Sequence, residues 1–220
     1  MTSHNNPADT LLIFDLDGTL CRTESSFVPT MRAISDDYGV AYAGDAAVMG
    51  QVGETYPDFL TWLTKQGFPS DIDALGTSIS QREIESIQQS GELYPDVDAT
   101  LRSLKQVGYR LAICTNGDMN YTSTVLGKFD LLKLFDAIKT HGDARQSKTV
   151  MIAELLNRFR PAHAFMIGDR THDFVAGRAN GCTVIAAIYG FIGDREAVDI
   201  DARLERFADL LRVIEQYLGD

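Results

Sequence analysis

Apolar and polar positions alternate in two different rhythms along this chain. Residues 11–20 read Leu-Leu-Ile-Phe-Asp-Leu-Asp-Gly-Thr-Leu, an apolar run that delivers Asp15 and Asp17 and then turns at Gly18. A short apolar run closed by a turn signal predicts a strand buried on both faces, the habit of parallel sheets. Before it, residues 1–10 carry Asn5, Asn6 and Pro7 and read as a loose terminus. Over 21–91 the apolar residues recur at helical spacing and no second buried strand follows. Helices are predicted from a Ser25 or Ser26 cap to Tyr38 with Gly39 as the stop, over 56–66, and from a Ser70 or Asp71 cap to Gln89, with Gly67, Pro69 and Gly91 as punctuation.

From Tyr94 onward helix and strand patterns alternate. Helices are predicted over 95–107, 119–129, 147–159, 173–180 and 204–218, and strands over 109–115, 137–140, 164–167 and 183–188. This alternation implies βαβ units, hence an α/β fold with a Rossmann-like parallel sheet and helices on both faces. A βαβ unit needs about 30 residues, and far more than that separates the first strand from the next. The surplus is a helical insertion. The predicted division is a core domain of 1–20 and 92–220 with a helical cap domain of 21–91, rooted beside Asp17 and so placed to act as a lid.

Composition narrows the functional classes. The chain has 220 residues, 45% of them hydrophobic, enough for a sizeable core. Its formal net charge is −11, with no compensating basic run, which argues against nucleic acid as a partner. Cys21, Cys114 and Cys182 lie far apart, without the spacing of a zinc site or a disulfide framework. His4, His141, His163 and His172 show no ligand spacing and default to structure or solvent, and Trp62 is assigned to the core of the insertion. With no secretory leader pattern and no apolar run near the ~20 residues of a membrane span, the expectation is a cytoplasmic protein without a membrane partner.

Parallel sheets place their sites at the carboxyl ends of strands, so each strand end is asked what it presents. Asp15 and Asp17, two residues apart on a strand, would point to one side and could share a cation or divide nucleophile and acid/base duties. The second strand ends in Thr115-Asn116-Gly117, a hydroxyl, an amide and backbone N–H groups fit to cradle a phosphoryl oxygen. Lys148 opens a helix with a fixed positive charge, and the later strand ends in Gly168-Asp169 with Asp173 beyond. Hard oxygen donors of this kind suit Mg²⁺, which is held by carboxylates plus substrate phosphate. A phosphate monoester would meet these carboxylates only with a divalent cation and Lys148 to offset the repulsion. One aspartate could then attack phosphorus while a second handles protons.

In order and context, Asp15-Leu16-Asp17-Gly18-Thr19, Thr115, Lys148 and Gly168-Asp169-Arg170-Thr171-His172-Asp173 resemble the four motifs of the haloacid dehalogenase superfamily. The insertion resembles the helical cap of its phosphoglycolate phosphatase-like branch. The resemblance implies Asp15 as nucleophile and Asp17 as general acid/base, with Thr115 and Lys148 binding the transferred group. It further implies a backbone N–H from Asn116, and Mg²⁺ on Asp15, Asp169 and the Asp17 backbone carbonyl, with Asp173 binding directly or through water. Two departures from the common pattern stand out: Arg22-Thr23-Glu24-Ser25 after the first motif, and Thr149 where a proline often follows the lysine. In the insertion, Arg22, Glu24, Gly50, Gly53 and Tyr56 are candidates for substrate contacts. The expected activity is Mg²⁺-dependent hydrolysis of a small phosphorylated metabolite, phosphoglycolate-like or nucleotide-like, by a monomer or small homo-oligomer. The alternatives are a sugar-phosphate mutase of β-phosphoglucomutase type and, further off, a non-enzymatic phosphoacceptor or binding protein. The presence of Asp17 speaks against a dehalogenase.

Overall fold

The computed structural model describes residues 6–54, 56–141, 146–191 and 199–218, apart from the side chains of Tyr56 and Ile72. Its centre is the predicted apolar run. Thr10–Phe14 forms strand β1 with all five residues buried. Leu12 and Phe14 face one apolar layer while Leu11 and Ile13 face the other, the period of two that a strand imposes. Each of these side chains is wholly buried, and each contributes ~1.5–3 kcal/mol through burial.

Five further strands pair in parallel around it: β2 (Arg110–Thr115), β3 (Ala137–Thr140), β4 (His163–Gly168), β5 (Thr183–Ala187) and β6 (Ala202–Leu204). Their order is β3-β2-β1-β4-β5-β6. The chain therefore reverses its direction of growth at β1, and the switch point opens between β1 and its neighbours at their carboxyl ends. Helices α5 (Val97–Val107), α6 (Met119–Lys128) and α9 (Leu210–Leu218) cover one face; α7 (Lys148–Phe159) and α8 (Thr171–Ala179) cover the other.

Among the described residues, four helices lie between β1 and α5: α1 (Glu24–Tyr38), α2 (Asp45–Met49), α3 (Tyr56–Lys65) and α4 (Ile72–Ser90). They share an apolar cluster of their own, built on Phe27, Met31, Ile34, Leu63 and Ile79, and Trp62 packs partly buried against it, stacked on Phe59. Pro29 sits inside α1 and cannot donate to the carbonyl of Ser25. Ser90 at the end of α4 donates to that carbonyl at 2.6 Å instead. The two connecting strands also meet: Arg22 N–H donates to Glu92 O, Tyr94 N–H to Leu20 O, and Cys21 bridges Leu93 antiparallel. The insertion thus leaves and re-enters the sheet through one narrow paired neck.

Several sequence expectations are corrected. Part of the supposedly loose terminus is ordered, because Pro7–Asp9 forms a 3-10 turn capped by Asn6, and Thr10 already belongs to β1. The predicted terminal helix over 204–218 is three pieces: β6 ends at Leu204, a 3-10 turn spans Phe207–Asp209, and α9 begins at Leu210. Both α2 and β6 went unpredicted. Neither Ser25 nor Ser26 caps α1; Thr23 occupies the cap position, and its hydroxyl is spent on Asp17 instead of the helix end. His4 lies outside the described residues. Among the described residues no helix is long and apolar enough to cross a membrane, and all three cysteines are free and buried.

Candidate active site

β1 ends at Phe14, so Asp15 and Asp17 stand in the loop beyond it, and the two-residue strand rule does not place them together. Their surroundings differ. Asp15 is anchored by its backbone N–H to Ile167 O at the end of β4, and its carboxylate pairs with Lys148 Nζ at 2.7 Å. Lys148 also contacts Asp173 Oδ1. Asp173 is fixed in turn by Arg170 N–H, which donates to its Oδ2 at 3.0 Å. Ser147 caps α7, placing the lysine at the first turn. A cation there is unfavourable against the helix dipole, and the two buried carboxylates overcome that cost.

Asp169, at the end of β4, accepts from Thr19 Oγ1 at 3.0 Å and from Phe191 N–H at 2.8 Å. Close approach of three loops requires glycine here. Gly18 has φ 76°, and a Cβ on it would lie 2.2 Å from Asp169 Oδ2. One on Gly190 would lie 2.3 Å from Gly18 O. Asp15, Asp169 and Asp173 each offer an oxygen within 4.8 Å of the others.

The electrostatics of this cluster are unbalanced. With all three buried carboxyl groups ionised, the one positive charge of Lys148 would leave two negative charges in excess. Burial, then Asp173, pushes Asp15 well above the carboxylate range despite Lys148. The same two causes raise Asp169 to about 7. Burial alone would lower Lys148, yet Asp15 and Asp173 outweigh it and hold the ammonium charged. A hard dication on the oxygens of Asp15, Asp169 and Asp173 would relieve this excess, so the donor set fits Mg²⁺.

Asp17 sits apart, in a neutral polar nest. Its Oδ1 accepts from Thr23 Oγ1 at 2.7 Å and from the hydroxyl of Tyr121, with the Cys21 thiol at 3.8 Å. Burial raises its pKa, and the Tyr121 and Thr23 bonds offset part of that rise. Thr115 is buried and accepts Gly117 N–H at 3.1 Å, while among the described residues no acceptor takes its own hydroxyl hydrogen. Asp15, Asp17, Thr115, Asn116 and Lys148 all face one cavity of about 770 Å³ lying between the sheet edge and the insertion.

Not every predicted residue reaches it. Arg22 and Glu24 pair with each other at 3.1 Å, and Arg22 also pairs with Glu92 at 3.2 Å, on the exposed neck outside the cavity. Both are close to Asp17 in sequence, but the chain turns away there. Gly50 ends α2 and does not line the cavity; Gly53 does, and its carbonyl accepts Asn116 Nδ2 at 3.0 Å. Tyr56 opens α3, and its side chain lies outside the described residues. His141 borders the cavity with Nδ1 against Gln146 O. His172 is held near neutrality by burial and Lys148, with a pKa of about 4. Sequence reading missed Tyr121, Thr23 and Glu83, since neutral or helix-borne residues announce nothing until the fold brings them to the cavity.

The haloacid dehalogenase-like hydrolase family matches residues 12–187, spanning β1 through β5 and every strand end just described. The chain belongs to the haloacid dehalogenase-like hydrolases. Among similar hydrolases is the phosphoglycolate phosphatase of Haemophilus influenzae, 28% identical, with 93% of this chain and 97% of that protein covered. The pyrophosphatase PpaX of Bacillus cereus is also 28% identical, covering 92% and 95%. A crystal structure of a predicted phosphoglycolate phosphatase from Haemophilus somnus superposes with a TM-score of 0.84 at 24% identity, covering 93% of this chain and 97% of that one.

Proposed function

We propose that this enzyme is a Mg²⁺-dependent phosphatase that cleaves small phosphate monoesters through an aspartyl phosphate on Asp15. The observation that carries the reading is the arrangement at one cavity: an Asp15 paired with Lys148 beside two further carboxyl groups, and a separate Asp17 held by the hydroxyls of Thr23 and Tyr121. Phosphatases among the relatives support it.

In the first step a carboxylate oxygen of Asp15 forms a bond to phosphorus and the ester P–O bond breaks, with Asp17 giving its proton to the departing oxygen. In the second, Asp17 takes a proton from the water that attacks phosphorus, inorganic phosphate leaves, and Asp15 is regenerated. Lys148 balances charge on Asp15 and the phosphoryl oxygens. The Thr115 hydroxyl donates to one phosphoryl oxygen and the Asn116 backbone N–H to another. Asp15, Asp169 and the Asp17 backbone carbonyl would hold Mg²⁺, with Asp173, both of whose oxygens already have partners, acting first as the anchor of Lys148. When bound there, Mg²⁺ supplies positive charge to the phosphoryl oxygens. The helices of 21–91 serve as a cap that shuts water out during transfer.

Turnover of p-nitrophenyl phosphate with and without EDTA tests this directly. Activity indifferent to the chelator sinks the metal assignment, and an active Asp15→Asn enzyme sinks the nucleophile. The cavity is large enough for a sugar, so the mutase alternative is tested beside it: inorganic phosphate released from a hexose phosphate indicates hydrolysis, and isomerised ester without release indicates a mutase.

A further inference from the structure

The cavity has two walls of unlike chemistry. On the sheet side lie Lys148, Thr115 and Asn116, where a phosphoryl group is received. On the side of α4 and the start of α6 lie Glu83 and Asp118, and Lys148 is the one cation that borders the cavity among the described residues. Glu83, on α4, lines the cavity together with Asp17, Asp118 and Tyr121. It is half-buried and makes no hydrogen bond or ion pair among the described residues. Asp118 is already engaged, since it caps α6 by accepting Tyr121 N–H at 2.7 Å. A partly desolvated carboxyl that faces a substrate cavity and has no partner among the described residues is free to bond a ligand's donor.

We propose that the leaving group of the physiological substrate presents hydrogen-bond donors and no negative charge, an amino alcohol or a polyol, and that Glu83 is the residue that selects it. The proposal rests on the phosphatase reading above and deepens it. A carboxylate-bearing leaving group such as glycolate would bring a further negative charge beside Asp17, Glu83 and Asp118, while Lys148 is engaged by Asp15 and Asp173. The local field speaks the same way: burial, then Asp17 and Asp118, raises Glu83 to about 8. Space that resists one more negative charge on the protein resists it equally on a ligand, and favours an ammonium or hydroxyl donor. The volume of about 770 Å³ also exceeds what a two-carbon acid needs and suits a larger, hydroxylated group.

The test compares kcat/KM of the full-length Mg²⁺-loaded enzyme for phosphoethanolamine, a hexose phosphate and phosphoglycolate, with p-nitrophenyl phosphate run alongside. The expected result is that at least one donor-bearing ester exceeds phosphoglycolate by tenfold or more, the scale set by roughly one well-placed contact. Which of the two leads tells an ammonium from a polyol. In Glu83→Lys the ratio should swing toward phosphoglycolate by about tenfold or more, and Glu83→Gln should reduce the ratio more for phosphoethanolamine than for the hexose phosphate. Because a ratio between substrates does not depend on the fraction of enzyme that is folded, poor folding of a variant does not mimic the effect. A wild-type preference for phosphoglycolate, or a ratio unmoved in Glu83→Lys, overturns the proposal. Failure to turn over p-nitrophenyl phosphate overturns the phosphatase reading itself.

Discussion

The two walls of the cavity are built on opposite principles. On the sheet side, Asp15, Thr115, Lys148, Asp169 and Asp173 are each at most 5% exposed and are tied to one another or to backbone, so their positions are over-determined. On the insertion side, Ile87 of α4 is buried with the sheet domain's apolar cluster, and the hydrogen bonds to that domain mostly run to backbone carbonyls. Arg170 reaches Val52 O while stacking on Phe191, Asn116 reaches Gly53 O, and Lys128 reaches Ile87 O and Gly91 O. Such contacts hold the insertion without dictating its side chains. On the proposed reading the difference separates two demands: transfer chemistry needs charges preorganised to a fraction of an ångström, while discrimination between leaving groups would fall to the wall whose side chains are less tied to the sheet.

Breaking the sheet-side wall should have the largest effects. Asp15→Asn removes the attacking oxygen, and kcat for p-nitrophenyl phosphate is expected to fall by at least ~10⁴-fold, in line with loss of a covalent nucleophile. Lys148→Met leaves Asp15 and Asp173 buried without their cation. Stripping one partner from a buried pair costs about 3–5 kcal/mol, so urea denaturation of the metal-free variant at pH 8 should show a loss of that order, with activity reduced as well.

Metal and pH should act on the same wall jointly. Asp169 is raised from 3.8 to about 7 in the metal-free fold. A carboxyl raised on folding adds stability that is full below its unfolded pKa and lost as pH climbs through the folded one. The metal-free protein should therefore give up this contribution between about pH 4 and 7. Mg²⁺, by favouring the ionised cluster, should raise Tm more at pH 8 than at pH 5, which differential scanning at the two values checks.

Effects shrink toward the boundary between the walls. Tyr121→Phe removes a donor from Asp17 and is expected to cost about tenfold in kcat/KM for alkyl phosphates, and less for p-nitrophenyl phosphate, whose leaving group needs little protonation. The lost bond had lowered the pKa of Asp17, so that pKa rises further, Asp17 stays protonated to higher pH, and the alkaline limb of kcat/KM shifts upward. On the exposed neck, Arg22→Ala should change kcat/KM by less than about twofold, since a solvent-exposed ion pair is worth ~0–1 kcal/mol. A larger change would bring the insertion side into the chemistry and erase the contrast.

The same contrast governs what was legible in the sequence. β1, β2 and β4 were readable because each buries an unbroken apolar run, and their ends delivered Asp15, Thr115 and Asp169 to the cavity by the geometry of a parallel sheet. β6 was not, because Ala-Arg-Leu carries no strand pattern and is held by backbone pairing to Ile185, Ala186 and Ala187. α2 is five residues long, too short for periodicity to register. Among site residues, charged groups at strand ends announced themselves, whereas Tyr121 and Glu83 acquire meaning only when α4 and α6 pack together across the cavity. Arg22 and Glu24 show the converse: near Asp17 along the chain, they pair on the exposed neck and do not line the cavity.

The central claim is that Asp15 carries the phosphoryl group and Asp17 the proton. It is tested most directly with Asp17→Asn. With p-nitrophenyl phosphate the first step needs little proton donation, while hydrolysis of the adduct still needs a base, so the intermediate should accumulate. Acid quench during turnover with Mg²⁺, followed by peptide mass spectrometry, should find the peptide containing Asp15 heavier by one phosphoryl group, in step with a burst of nitrophenolate. A burst with the phosphoryl group on another residue, or nitrophenolate released with no adduct on Asp15, would contradict the account.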